Sequence, residues 1–170
     1  MTTLKVNSWQ SSSGSTLNNI VQIRNSQFTG AINTTGSTYV STGHSVTITP
    51  KFATSKILLV WSGNISCENP NSGGLGAAGS HYTIFRDGTN IMTNTQSSMA
   101  FTYNEATSTT GVNNWHRQGF ANILVDASST ASTTFTVYQR LSTGFTNVGS
   151  YAKYHGDWGS CSLTAMEIKQ

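Results

Sequence analysis

Charge is scarce in this chain: Asp, Glu, Lys and Arg together make 15 of 170 residues, about a third of the usual share. So few carboxylates leave little material for paired acid–base chemistry. Nine dispersed Lys and Arg with a formal charge of +3 form no basic stripe, so nucleic acid is not an expected partner. Long apolar runs are also missing. The longest, Ile57 to Trp61, is far short of the ~20 residues of a membrane helix, and no membrane partner is expected. The first residues lack the basic start and apolar stretch of a cleaved signal, so secretion by that route is not expected. There are only two cysteines, Cys67 and Cys161, with no second Cys or His near either at metal-ligand spacing. They read as two buried reduced thiols, with a disulfide between distant strands as the alternative.

What is present is small and polar. Thr, Ser, Gly and Asn supply 81 of 170 residues. Disorder is nevertheless not expected, because 36% of residues are hydrophobic and 10% aromatic, whereas disordered chains lack such residues. Ser, Thr, Asn and Gly are poor helix formers. Thr, Val, Ile, Phe, Tyr and Trp suit a pleated sheet, with Gly, Asn and Ser at its turns. The fold class expected is all-β.

Strand signals recur along the chain. Ile20 to Arg24 is short enough for a strand or one helical turn. Over Tyr39 to Pro50, His44, Val46 and Ile48 alternate with Ser45, Thr47 and Thr49, the period of a half-buried strand. Lys56 to Cys67 is the strongest, with Ile57, Leu59, Trp61, Ile65 and Cys67 on one face and Leu58 and Val60 on the other. Apolar residues on both faces imply cover from both sides. Glu68 to Gly79 reads as a long glycine-rich loop. His81 to Arg86 and Ile91 onward flank Asp87-Gly88, a hairpin signal. Met99 to Tyr103, Gln118 to Val125, Thr133 to Leu141 and Cys161 to Ile168 bring the total to about eight strands. That number over roughly 150 residues suits a jelly-roll-like antiparallel β-sandwich, here residues 20–170. Residues 1–19 read as an extended arm whose Leu4, Val6 and Trp9 could bury themselves in a partner.

Little in the sequence points to catalysis. The acids are Glu68, Asp87, Glu105, Asp126, Asp157 and Glu167. Asp87 is accounted for by its turn and Glu167 by the last strand. Glu68, Glu105, Asp126 and Asp157 remain as loop acids that a polysaccharide depolymerase would have to bring together. No Gly-x-Ser-x-Gly elbow occurs. His44, His81, His116 and His155 are not closely paired, and His155-Gly156-Asp157 has no neighbouring ligand in sequence, so neither a metal nor a cofactor is expected. One aromatic and polar constellation stands out: Trp115, His116 and Arg117 after the stretch Thr107 to Asn114, and Tyr151, Tyr154, His155 and Trp158 in loop-rich sequence. Such rings with polar neighbours suit a glycan or a protein contact, or they fill a sandwich end or a subunit interface.

Thr42 to Val60 (Thr-Gly-His-Ser-Val-Thr-Ile-Thr-Pro-Lys-Phe-Ala-Thr-Ser-Lys-Ile-Leu-Leu-Val) resembles a pattern of bacteriophage tail-fibre and virion-fibre head domains, notably those of marine cyanophages. The resemblance continues through Phe85-Arg-Asp-Gly-Thr-Asn-Ile91, Val125 to Val137 and Leu163-Thr-Ala-Met-Glu-Ile168. It implies a non-enzymatic virion component, made in the host cytoplasm. Its head would be a homotrimeric jelly roll similar to the complement and tumour-necrosis-factor-like folds. Residues 1–19 would attach it to other virion proteins, and the head would meet a host-surface glycan or protein. The shortness of the arm keeps a second role open, a capsid or tail decoration fibre without receptor binding.

Overall fold

The computed structural model describes residues 19–69, 76–93, 98–106, 113–142, 150–157 and 159–169. They form eleven strands: β1 (Asn19–Phe28), β2 (Ala31–Thr34), β3 (Val40–Ile48), β4 (Lys56–Asn69), β5 (Gly76–Arg86), β6 (Thr89–Asn90), β7 (Ala100–Ala106), β8 (Asn113–Asp126), β9 (Thr133–Leu141), β10 (Tyr151–His155) and β11 (Cys161–Lys169). All pairings are antiparallel. The first sheet runs β1-β11-β4-β10-β2, with β8 also on β4; the second runs β3-β9-β5-β6, with β7 also on β5. The chain crosses between sheets at nearly every long strand, which gives the jelly-roll order expected from the sequence. Among the described residues no helix is long and apolar enough to cross a membrane.

β4 is the spine of the first sheet. β8 runs along one edge of it from Lys56 to Asn69. The other edge is shared end to end by β11, opposite residues 56–62, and β10, opposite residues 64–68. Alternation aims Ile57, Leu59, Trp61 and Ile65 into the sandwich, where they meet Val46 and Ile48 of β3, Tyr82 and Ile84 of β5, and Phe135 and Val137 of β9. At the Asp87-Gly88 turn both residues have positive φ, 48° and 86°, as a primed hairpin turn requires. The Asp87 carboxylate also accepts from Thr134 N–H at 2.8 Å, tying the turn to β9.

Several strands differ from the sequence expectation. β2 and β10 were not anticipated. The presumed loop Glu68 to Gly79 is narrower, because Glu68 and Asn69 end β4 and Gly76 to Gly79 open β5. Asn113 to Arg117 and Tyr151 to His155 belong to strands, since β4 is long enough to pair with both of them. After the Asp87-Gly88 turn only Thr89 and Asn90 pair among the described residues, and Ile91 keeps one backbone hydrogen bond to Ile84 at 3.2 Å. Leu4, Val6 and Trp9 lie outside the described residues. Both cysteines are buried free thiols, and burial pushes the Cys67 thiol up to about 12.

Glu167 does more than end the last strand. It is fully buried, and its carboxylate accepts from Lys51 N–H at 2.8 Å, Phe52 N–H at 3.0 Å and Gln22 Nε2 at 2.7 Å. Burial alone would raise its pKa. The hydrogen bonds from Lys51, Gln22 and Phe52 outweigh that and hold it below the ordinary value. The stabilisation is therefore complete above the unfolded carboxylate's pKa and is lost as pH falls through the folded one. Glu167→Gln is expected to cost about 1–3 kcal/mol at pH 7, with the gap to wild type closing as pH falls below the ordinary carboxylate value. Urea midpoints at each pH measure this, and a gap independent of pH would contradict it.

Candidate functional site

The outer face of the first sheet, turned away from the core, divides into two halves along β4. Over the first half the register aligns Ile23, Met166, Leu58 and Leu124 across β1, β11, β4 and β8. A β-bulge between Ile20 and Gln22 brings Ile20 to this face beside Ile168, because the extra residue shifts the alternation. Val60 and Phe120 extend the patch. Ile20, Ile23, Leu124 and Phe120 are 58%, 54%, 56% and 68% exposed. The expectation of apolar residues on both faces of β4 is met, and none of the described residues covers the outer one.

Over the second half the same face turns polar. Asn64, Ser66 and Glu68 project from β4, with Gln118 and His116 beside them on β8 and His155, Lys153 and Tyr151 on β10. Two remote segments of sequence thus meet because both pair with one strand. Ser66 Oγ lies 2.8 Å from His155 Nε2 and 3.3 Å from Glu68 Oε1. His155 Nδ1 lies 3.3 Å from Asp157 Oδ1. Lys153 Nζ is 3.9 Å from Glu68 Oε1, and the Tyr151 hydroxyl donates to the other Glu68 oxygen. That bond and burial push the Tyr151 hydroxyl up to about 12. The His116 and His155 rings meet edge-on with centroids 5.2 Å apart. Burial and then the Lys153 ammonium hold the His155 pKa below the ordinary value, against the opposing pull of Asp157. Gly156 passes so close to the β1–β2 turn that a Cβ would come 2.3 Å from the Phe28 carbonyl oxygen, which fixes the spacing between His155 and Asp157.

The candidates read from sequence fare unequally. His116, Tyr151 and His155 converge on this polar half. Arg117 is in register with buried Ile65, yet it lines a cavity of about 210 Å³ with Asn64, His116, Gln118 and His155. Tyr154 is a correction: it is fully buried in the core, where its hydroxyl accepts from Trp61 Nε1 at 3.0 Å and lies 2.7 Å from His44 Nδ1. Alternation explains this, since Tyr154 pairs with inward-facing Ile65 while its neighbours Lys153 and His155 face out. The Trp115 side chain and Trp158 lie outside the described residues. The lack of neighbouring ligands at His155 is a second correction, because folding sets Glu68 and His116 beside it. Ser66, Glu68, Lys153 and Asp157 were not assigned to this site from sequence. Their signal was the outward alternation of Leu58 and Val60, which, carried on through Ser66 and Glu68, places those two on the same face.

Ser66, His155 and Asp157 have the outline of a nucleophile, base and orienting acid. Two features oppose that role. Ser66 is fully buried, and it stands in register between His116 and Lys153 inside a sheet rather than on the exposed turn that presents a hydrolase serine. The arrangement instead holds a buried carboxylate, imidazole and hydroxyl, those of Glu68, His155 and Ser66, beside the exposed His116 and the half-buried Lys153 and Tyr151. A cavity of about 210 Å³ is smaller than the roughly 300–1,000 Å³ that encloses a small molecule. A larger ligand would have to lie across the surface.

No family model matches the chain, and no curated protein matches it. Among solved structures, the crystal structure of the infectious bursal disease virus VP2 subviral particle is similar at 13% identity and a TM-score of 0.33. The match covers 97% of this chain and 43% of that one, so the chain spans less than half the length of that neighbour. A score at that level lies below a shared fold, and the architecture given above rests on this chain's own strand order.

Proposed function

We propose that this chain is a bacteriophage virion structural protein, the head of a short homotrimeric tail fibre or fibre tip that attaches to the host surface. The observation that carries this reading is the apolar row Ile23–Met166–Leu58–Leu124 with Ile20, Val60 and Phe120 around it, on a sandwich otherwise rich in Ser, Thr and Asn. Exposed apolar patches of this kind mark interaction sites. Further copies of the same chain are the natural cover, since the row has no charge to match to a foreign partner. The sequence resemblance supplies the phage and the threefold number. Residues 1–19 would anchor the head to other virion proteins, and the polar half would face the host glycan or protein. The chain is read as non-enzymatic, given the buried Ser66. The small cavity also favours a second reading, a decoration or stabilising fibre that binds no receptor.

Sedimentation of the purified chain at micromolar concentration is expected to give three times 18.2 kDa. A monomer would overturn the assembly. An antibody against the chain should label intact virions, and absence of the chain from purified particles would remove the virion role. Particles lacking it are expected to adsorb poorly to host cells; normal adsorption would leave the decoration reading.

A further inference from the structure

We propose that Glu68, His116 and His155 bind a divalent transition-metal ion of the zinc type on the polar half of the outer face. The inference stands on the geometry of one chain and does not depend on the assembly proposed above. Each residue offers one ligand atom, and these atoms all lie within 4.8 Å of one another. Around a tetrahedral zinc with bonds of ~2.1 Å, ligand atoms sit roughly 3.4 Å apart, so closing the site takes a shift of about an ångström. His116 is exposed whereas Glu68 and His155 are buried, so the shift falls on the His116 imidazole. His155 Nε2 and Glu68 Oε1 are already 3.6 Å apart.

The support around the ligands is also of the right kind. A ligating histidine is usually oriented by a carboxylate on its other nitrogen, and Asp157 Oδ1 stands 3.3 Å from His155 Nδ1. That contact places the proton on Nδ1 and leaves the Nε2 lone pair facing Glu68. In the metal-free chain Ser66 donates to Nε2 at 2.8 Å. When an ion takes that lone pair, the Ser66 hydroxyl has a second acceptor in Glu68 Oε1 at 3.3 Å. The cavity lined by Asn64, His116, Arg117, Gln118 and His155 opens a path for entry. Three protein ligands leave a fourth position for water or an exogenous donor.

Donor chemistry selects the metal. Two imidazoles and one carboxylate suit zinc, cobalt, nickel or copper, whereas magnesium and calcium take oxygen ligands. Neither thiol belongs to the set, since Cys67 and Cys161 both alternate toward the core. Lys153 opposes the site: its ammonium, 3.9 Å from Glu68 Oε1, competes with a cation for the carboxylate, and Arg117 adds positive charge at the mouth.

The test uses the full chain without an affinity tag, stripped with EDTA and titrated with zinc chloride by calorimetry and with cobalt chloride by visible absorption. Wild type is expected to take up one ion per chain, with cobalt bands of a nitrogen–oxygen site and no thiolate charge transfer. His116→Ala, at an exposed position, should weaken zinc binding about tenfold or more while leaving the circular dichroism spectrum of the metal-free chain unchanged. Lys153→Met should tighten it several-fold. No uptake by wild type at millimolar zinc, equal affinity in His116→Ala, or a thiolate band with cobalt would each overturn the proposal.

Discussion

A chain carrying Phe120→Glu and Leu124→Glu is expected to sediment as a monomer where wild type sediments as a trimer, with an unchanged circular dichroism spectrum. Both side chains are more than half exposed in the single chain, so the substitutions cost the isolated fold little. In the assembly they would place carboxylates in the apolar row beside Leu58, Met166 and Ile23. An unpaired charge taken out of water in an interface costs several kcal/mol, and every 1.4 kcal/mol is a tenfold change in affinity. A shift of about three orders of magnitude or more in the dissociation constant follows. Thr164→Glu, at the rim of the cluster between Val60 and the polar Asn25, provides the comparison and should dissociate less. A double variant that remains trimeric would move the interface away from this face.

The second large effect lies at Trp61. Its indole covers a cross-strand glycine pair, Gly63 of β4 opposite Gly119 of β8. A Cβ on Gly119 would come 2.6 Å from the ring, and one on Gly63 would come 2.7 Å from both Trp61 and Tyr154. The two glycines therefore leave room for the ring against bare backbone. The ring also holds the polar centre of the core, donating from Nε1 to the Tyr154 hydroxyl at 3.0 Å. That hydroxyl lies 2.7 Å from His44 Nδ1, whose Nε2 lies 3.1 Å from the Ser26 carbonyl oxygen. The four groups are satisfied in one direction: Trp61 to Tyr154, Tyr154 to His44, His44 to Ser26.

Trp61→Ala is expected to cost about 3–5 kcal/mol, a large share of the roughly 5–15 kcal/mol that holds a domain together. Gly119→Ala should cost about 1–3 kcal/mol through overcrowding of the same ring. Because the two residues touch, the costs should not add. In the Trp61→Ala background the added methyl has space, so Gly119→Ala should become nearly neutral. Urea denaturation of the four chains measures the cycle, and additive losses would show that the ring and the glycine do not share one site.

How much of this was legible beforehand differs by element. The inward and outward faces of β3 and β4 were readable, because alternation is a local property of an extended chain. Val46, Ile48, Ile57, Leu59 and Trp61 are buried as their positions implied. β2 and β10 escaped notice because they are short and polar, and they are strands only because β4 and each other offer partners. Tyr154 looked like a surface aromatic for the same reason: without a strand assignment no parity told it apart from Tyr151. The anchoring role of Glu167 was invisible, since its donors Lys51 and Phe52 lie more than a hundred positions away.

The sequence by itself determined an all-β chain with few charges and an apolar row on each side of its central strand, because composition and period-two alternation act within a few residues. Tertiary structure alone decided what those faces became. The pairing of β4 with β8, β10 and β11 turned scattered side chains into two halves of one surface, an apolar patch and a cluster of Glu68, His116 and His155. Strand pairing joins residues by register rather than by sequence distance, and register is set only when the whole sandwich closes.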